Sequence, residues 1–413
     1  MAKKAASTGA GKTTAKSAAP RGGAKRASRS RAEDGGDQQP SPAPIQIPRP
    51  RPLAELIGHD RAVATLGSAF TSGRLHHAWI FSGPKGVGKF TAALGFAAAA
   101  LDPTTRVGTN GVPTPDPESR VQKLLQAGTH PDFHVVVKEL ARFSDDSDIR
   151  KRKLATIPVE VMKEHLIHPI EISATLNEGG LASKAFIVDE ADLIASVGQN
   201  QLLKTLEEPP AGSVLILITD SEEELLPTVR SRCQRVTFAP LDSTSMGRWL
   251  RSRPDLALTA KDLEWLSAVG EGSPGEIVNA CERGIVGWRA SLEPLLDRAA
   301  SGTFQPELGP LMHKLADEWA KADVEKNPNA SKETANRVGG RLMLRLMAER
   351  LRRRLHDESA RRSPSLERVT DAIDAVNEAE RMLDANVNGL FVMEAASVGV
   401  ARALGQVRAV AAR

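Results

Sequence analysis

From Leu53 to about Pro240 the chain alternates short, unbroken apolar runs with longer stretches in which apolar residues recur every three or four positions. The runs at 78–81, 133–137, 185–188 and 214–218, with a shorter one at 235–238, read as strands. They are continuous rather than alternating, so both faces of each strand must be covered, as in a parallel sheet flanked by helices. Helical spacing predicts helices over 61–72, 89–101, 159–168 and 196–208. The expected fold class is α/β, a doubly wound parallel sheet. Residues 241–290 read as a small helical domain with a turn at Gly272-Ser273-Pro274-Gly275. Residues 291–413 carry no strand-like run. There Leu342, Leu346, Leu351 and Leu355, then Leu366, Val369, Ile373 and Val376, recur at helical spacing and predict a separate bundle.

Composition changes this picture mainly at the N-terminus. The chain has 413 residues, enough for two or three domains. Residues 1–47 have almost no large apolar side chain and cannot bury enough surface to offset their ordering entropy, so they are expected to be a disordered basic tail. The tail reads either as a solvated segment or as a loose nucleic-acid-binding arm. It also accounts for the positive net charge of +4: residues 1–31 hold nine Lys or Arg and no Asp or Glu. The remaining 46 basic and 51 acidic residues leave the folded part at −5. Two cysteines, Cys233 and Cys281, exclude a disulfide scaffold and suit a reducing compartment. No run of about 18 uncharged apolar residues is present, so no membrane-spanning helix and a cytoplasmic location are expected. With no tyrosine, 10 Phe and 5 Trp, an aromatic platform for stacking nucleic-acid bases is disfavoured.

The main chemical signal is Gly83-Pro84-Lys85-Gly86-Val87-Gly88-Lys89, which follows a predicted strand and opens a predicted helix. That is the context a phosphate-binding loop requires. The glycines let backbone N–H groups turn toward a β-phosphate, the helix N-terminus adds positive potential, and Lys89 would reach the β- and γ-phosphates. The next residue should be Ser or Thr to hold Mg²⁺, but it is Phe90. Thr91 follows, rotated by about 100° around the helix. ATP or ADP binding is therefore expected with an impaired Mg²⁺ site and weak or absent hydrolysis. Gly9-Ala10-Gly11-Lys12-Thr13 is a decoy, since no strand precedes it.

The second signal is a buried strand ending in Asp189-Glu190-Ala191-Asp192. Asp189 would contact Mg²⁺ or its water, and Glu190 would polarise the attacking water. The strand at 214–218 ends in Thr219-Asp220, where a polar residue could sense a γ-phosphate; Thr219 is the candidate. Arg232, just before the last strand, could project and stabilise phosphate charge on a neighbouring subunit, or sit in an intradomain ion pair. Cys233 reads as a small buried hydrophobe, and His76, His77, His165 and His168 as structural.

Together, Arg74-Leu75-His76-His77-Ala78-Trp79, the loop at 83–89, Gly128-Thr129-His130-Pro131-Asp132, Asp189-Glu190-Ala191-Asp192, the Leu202–Pro210 run and Ser231-Arg232-Cys233 resemble the bacterial clamp-loader subunits of DNA polymerase III. These are AAA+ proteins, and the resemblance is greatest to the delta-prime type. It implies an AAA+ P-loop domain (48–240), a helical lid domain (241–290) and a helical collar domain (291–413). It also implies the partners: motor gamma/tau and delta subunits, and indirectly the sliding clamp and primer-template DNA. Arg232 would then serve the ATP site of the adjacent motor subunit during ATP-driven loading of the clamp. The alternative is an autonomous motor of the gamma/tau type. Three departures bear on the choice. The four-cysteine zinc module of the family has no counterpart in 102–128, so no zinc is expected. Phe90 replaces the Mg²⁺ ligand. The lid segment Gly272-Ser273-Pro274-Gly275-Glu276 lacks the sensing arginine.

Overall fold

The computed structural model describes residues 44–144, 146–151, 156–326 and 331–405. The tail and its decoy motif lie outside the described residues, apart from 44–47, which have no regular structure. Seven strands form among the described residues: β1 (Ala78–Ser82), β2 (Arg106–Val107), β3 (Pro113–Thr114), β4 (Phe133–Val136), β5 (Lys184–Val188), β6 (Ser213–Thr219) and β7 (Gln234–Thr237). Five of them build one parallel sheet in the order β4-β5-β6-β1-β7. β1, β5 and β6 are buried along their whole length, which explains their unbroken apolar sequence. β7, at the edge, buries only Val236.

Alternate residues of the central strands feed two cores. Trp79, Phe81, Ile187 and Ile216 pack with the Lys89–Leu101 helix on one face. Ile80, Phe186, Val188 and Leu217 pack with Val161, Leu166 and Leu202 on the other. The order places β6 between β1 and β5, so three strand ends lie side by side. Ligands of open parallel sheets bind at that carboxyl edge.

Two local features depart from the sequence reading. The helix expected over 159–168 runs on to Glu171 through a π turn at Lys163–Ile167, just ahead of Pro169, which has no N–H to donate. Residues 102–128 hold the β2–β3 hairpin and an Arg120–Ala127 helix. This segment gathers on Asp102, which accepts hydrogen bonds from Thr104 Oγ1 (2.6 Å), Ser119 Oγ (2.5 Å) and Gln122 Nε2 (3.0 Å). Burial pushes the Asp102 carboxyl up, but these bonds outweigh it and hold it below the usual range.

Beyond β7 the described chain is helical, with long helices at Leu308–Lys326, Lys332–Ala360, Leu366–Asp384 and Gly389–Ala403. Trp265, Ile277 and Trp288 share one apolar core with Leu292, Leu344 and Val392, so the expected lid and collar are packed together rather than separately. The Asn386-Val387-Asn388 segment links two helices: Asn386 takes φ +61° after the first, and Asn388 caps the second by accepting from the Leu390 N–H at 3.0 Å. No helix among the described residues is long and apolar enough to cross a membrane.

Candidate functional site

After Ser82 the chain turns through Gly83-Pro84-Lys85-Gly86-Val87-Gly88 into the Lys89–Leu101 helix. Gly83, Gly86 and Gly88 have φ of +146°, +75° and +118°, conformations that L side chains rarely adopt. Gly83 has a second constraint. Phe238 N–H donates to Ser82 O at 2.8 Å, and a Cβ at Gly83 would stand 2.0 Å from the Phe238 carbonyl oxygen. His59 buttresses the loop from outside: its buried Nε2 donates to Val87 O at 2.8 Å, and its ring meets Phe238 edge-on at 5.1 Å. The buried Lys89 ammonium donates to Gly83 O (2.5 Å), Pro84 O (2.8 Å) and Asp220 Oδ1 (2.7 Å).

The loop opens on a cleft of about 490 Å³, within the roughly 300–1,000 Å³ of small-molecule sites. Arg51, Lys85, Lys89 and Arg253 with Glu55, Asp189, Glu190 and Asp220 supply its charge, and Pro52, Leu56, Ile57, Trp249 and Val278 supply apolar surface from the N-terminal segment and the lid. The lid touches the loop directly. Gly275 N–H donates to Gly86 O at 2.8 Å, and a Cβ at Gly275 would stand 2.8 Å from Gly86 Cα.

Asp189 and Glu190 both line the cleft, as their place after β5 requires. Burial raises the Asp189 pKa to about 6, and the neighbouring Glu190 charge adds to the rise; the Glu190 N–H and Lys89 oppose it. Glu190 sits at φ +50°, with its carboxylate 2.6 Å from Lys138 Nζ and 3.8 Å from Lys85 Nζ. It is therefore neutralised by two lysines rather than free to polarise water.

Phe90 and Thr91 both reach the cleft; Phe90 is half-buried against the core and Thr91 is exposed. The glycine cradle and Lys89 fit a phosphate. The donor set does not fit a P-loop magnesium ion, since no hydroxyl stands at position 90. Among the described residues no group of three His, Cys, Asp or Glu could hold a metal ion.

Thr219 requires a correction. It is completely buried, its hydroxyl donates to Ser221 O at 2.7 Å and accepts from Ser221 N–H at 3.1 Å, and it does not line the cleft. Register explains this: Thr219 is the last residue of β6, paired with Ser82 inside the sheet, and Asp220 is the first beyond it. Arg232 stands apart from the cleft. Its Nη2 lies 2.7 Å from Glu207 Oε1, and its Nη1 donates to Thr228 O at 3.0 Å. The side chain is 36% exposed and its partner 52%, so the pair lies at the surface. The sequence reading did not single out His59, Lys138 or Asp220 as site residues. Only Asp220 carried a local signal, its place at a strand end.

A family model described as "DNA polymerase III, delta subunit" matches residues 58–242. Residues 58–242 are therefore similar to a DNA polymerase III clamp-loader subunit. The matched segment holds every strand of the sheet and the whole loop from Gly83 to Lys89. Among curated proteins, the chain is 32% identical to DNA polymerase III subunit delta' of Bacillus subtilis, over 44% of this chain and 47% of that one. It is 33% identical to subunit delta' of Pseudomonas aeruginosa (48% and 53%) and 30% identical to subunit gamma/tau of Mycobacterium tuberculosis (48% and 30%). The matches span about half of these relatives' length or less. Among solved structures, the Thermotoga maritima RuvB Holliday junction branch migration motor aligns at 15% identity and a TM-score of 0.35, over 60% of this chain and 67% of that one. A DNA polymerase III gamma subunit-related protein from Thermotoga maritima aligns at 14% and 0.35, over 82% and 99%. Likeness at this level adds nothing to the sheet order itself.

Proposed function

We propose that the chain is a delta-prime-like subunit of a DNA polymerase III clamp loader, assisting ATP-driven placement of a sliding clamp on primed DNA. In this reading its own cleft holds a nucleotide without hydrolysing it efficiently, and Arg232 serves the ATP site of a neighbouring motor subunit. The observation that carries the reading is an asymmetry. In the chain's own site, position 90 has no hydroxyl, Glu190 is tied to Lys138, and the lid segment at 272–276 contributes a backbone N–H where a motor would bring an arginine. Arg232, by contrast, is a surface guanidinium held only by a half-exposed carboxylate and nearby oxygens. A planar, permanently charged fork suits a phosphate, and an exposed pair with Glu207 is weak enough to exchange for one.

The test is Arg232→Ala in the reconstituted complex. Assembly should be retained, and turnover at the affected site should fall by about 10³-fold, as for other arginine fingers. Unchanged turnover would refute the role in trans. Similarity to gamma/tau proteins at 30% identity favours the motor as the second reading. Brisk Mg²⁺-dependent ATP hydrolysis by the isolated chain would select it.

A further inference from the structure

One strongly charged segment is used by neither the fold nor the cleft. Residues 1–31 hold nine Lys or Arg and no Asp or Glu, while the rest of the chain, with 46 basic and 51 acidic residues, is net negative. The net charge of the rest repels a polyanion, and the segment attracts one. Its chemistry narrows the partner. Before Ile45 there is no Val, Leu, Ile, Phe, Trp or Cys, and residue 2 is Ala. The segment therefore has no aromatic ring to stack on a base, no apolar anchor for a bilayer, and neither a glycine at position 2 nor a cysteine to acylate. What remains is charge, and duplex DNA, with one phosphate charge about every 1.7 Å of its axis, is bound by charge without any of these.

On the side of the body the connection is firm. Pro44 begins the compact unit that holds the sheet and the helices. Ile47 packs against the core that contains the Lys89–Leu101 helix, the Pro50 carbonyl accepts from Gln126 Nε2 at 2.8 Å, and Leu53 is buried. Arg49 and Arg51 come close to two glycines: a Cβ at Gly128 would collide with the Arg49 guanidinium, and one at Gly95 with the Arg51 carbonyl oxygen. The basic segment thus leads, by residue 47, into a strap fastened along the α/β body, so an anion gripped by residues 1–31 is tethered to that body.

We propose that residues 1–31 are a DNA-binding arm that grips the phosphate backbone of a duplex without reading its sequence and holds the net-negative body beside it. The choice of DNA over RNA rests on the proposed function; the charge argument does not. The arm acts whether or not the cleft holds a nucleotide and whether or not Arg232 serves a neighbour.

Fluorescence anisotropy with a labelled DNA duplex tests it on the full chain in three forms: wild type, a variant with all nine Lys and Arg of residues 1–31 changed to Gln, and a variant in which those Lys and Arg are exchanged for each other. All of these substitutions precede Pro44, where the compact unit begins. Wild type should lose at least about 50-fold in affinity between about 50 and 200 mM salt, the slope expected when three or more phosphates are neutralised. The Gln variant should bind at least about tenfold more weakly than wild type at the lower salt and with a shallower slope. The Lys–Arg exchange should bind as wild type does, and so should wild type to a second duplex of unrelated sequence. Wild type that does not bind the duplex, or a Gln variant that keeps its affinity, overturns the arm. Affinity that differs about tenfold or more between the two duplexes overturns backbone-only recognition. Tighter binding to phosphatidylserine vesicles or to duplex RNA at the same salt overturns DNA as the partner. None of these results bears on the clamp-loader reading, which the Arg232→Ala turnover judges.

Discussion

Asp189 is the residue whose ionisation the fold disturbs most clearly inside the cleft, with a pKa of about 6 caused first by burial and then by Glu190. An acid whose folded pKa is raised makes the folded state bind an extra proton over the interval between the unfolded value, near 4, and 6. Stability is then highest on the acidic side of that interval and falls as pH rises through it. Asp189→Asn keeps an oxygen to accept the Glu190 N–H and removes the charge. It should stabilise the chain relative to wild type, and the gain should be about 1–2 kcal/mol larger at pH 8 than at pH 5. Urea melts of both proteins at the two pH values measure this, and an equal difference at both would show that Asp189 is not the titrating group. The same cluster marks the limit of reading single residues from sequence. The acidic pair and Lys89 were visible as motif positions. That Lys138 would neutralise Glu190, that Glu207 would hold Arg232, or that Asp220 rather than Thr219 would meet Lys89 depends on contacts across 52, 25 and 131 positions. Local spacing carries no information about pairs that far apart.

Among elements, the contact between the lid and the phosphate loop is a close one between two backbones. It joins two glycine backbones, and Gly275→Ala would place a methyl group 2.8 Å from Gly86 Cα and 3.0 Å from Gly86 O. Neither atom is the end of a flexible side chain, so the start of the Pro274–Glu282 helix must move. Overpacking of this kind costs about 1–3 kcal/mol. Here the cost should be local: the Gly275 amide should lose its bond to Gly86 O and exchange faster with solvent, while amides of β1 stay protected. Amide exchange resolved by NMR or mass spectrometry checks this, and unaltered protection at 275 would mean that the contact is not maintained. The elements themselves were legible to differing degrees. β1, β5 and β6 came through because burial on two faces leaves an unbroken apolar run, and the edge strands β4 and β7 through shorter runs that are only partly buried. The β2–β3 hairpin and the Arg120–Ala127 helix did not, because both are short: the hairpin strands have two residues each and the helix buries only Val121 and Leu125 as apolar positions, with bonds to Asp102 fixing the segment. The extension of the helix past Pro169 was hidden for a different reason. A π turn changes the repeat, and neither 3.6-residue periodicity nor the presence of proline predicts one.

At the scale of the whole molecule, the expected boundary at 290/291 separates two stretches of sequence but not two cores. Trp265, in the Ala260–Gly270 helix, belongs to the same buried cluster as Leu292, Leu344 and Val400. Arg350 sits at their junction, 12% exposed on its side chain. Its Nη2 donates to Glu293 Oε1 at 2.8 Å, its Nε lies 3.4 Å from Asp297, and its guanidinium covers the Trp265 ring at 5.6 Å. One side chain thus ties the lid helix to two helices of the collar. Arg350→Ala removes a mostly buried charge-assisted bond and the stacking on Trp265. It leaves Glu293, itself one-third exposed, free to rehydrate and also paired with Arg289 at 3.5 Å. That compensation keeps the expected loss to about 2 kcal/mol, below the cost of stranding a buried ion. The informative readout is where the loss falls. If the lid and collar are one cooperative unit, hydrogen exchange in the variant should accelerate together in 260–270 and in the Lys332–Ala360 helix, while β1, β5 and β6 keep their protection. Acceleration confined to the collar would make the lid an independent body. Joint acceleration would mean that the Gly275 contact connects the phosphate loop to the collar through a single rigid piece, so that a change in the cleft is felt by the far helices without any hinge between them.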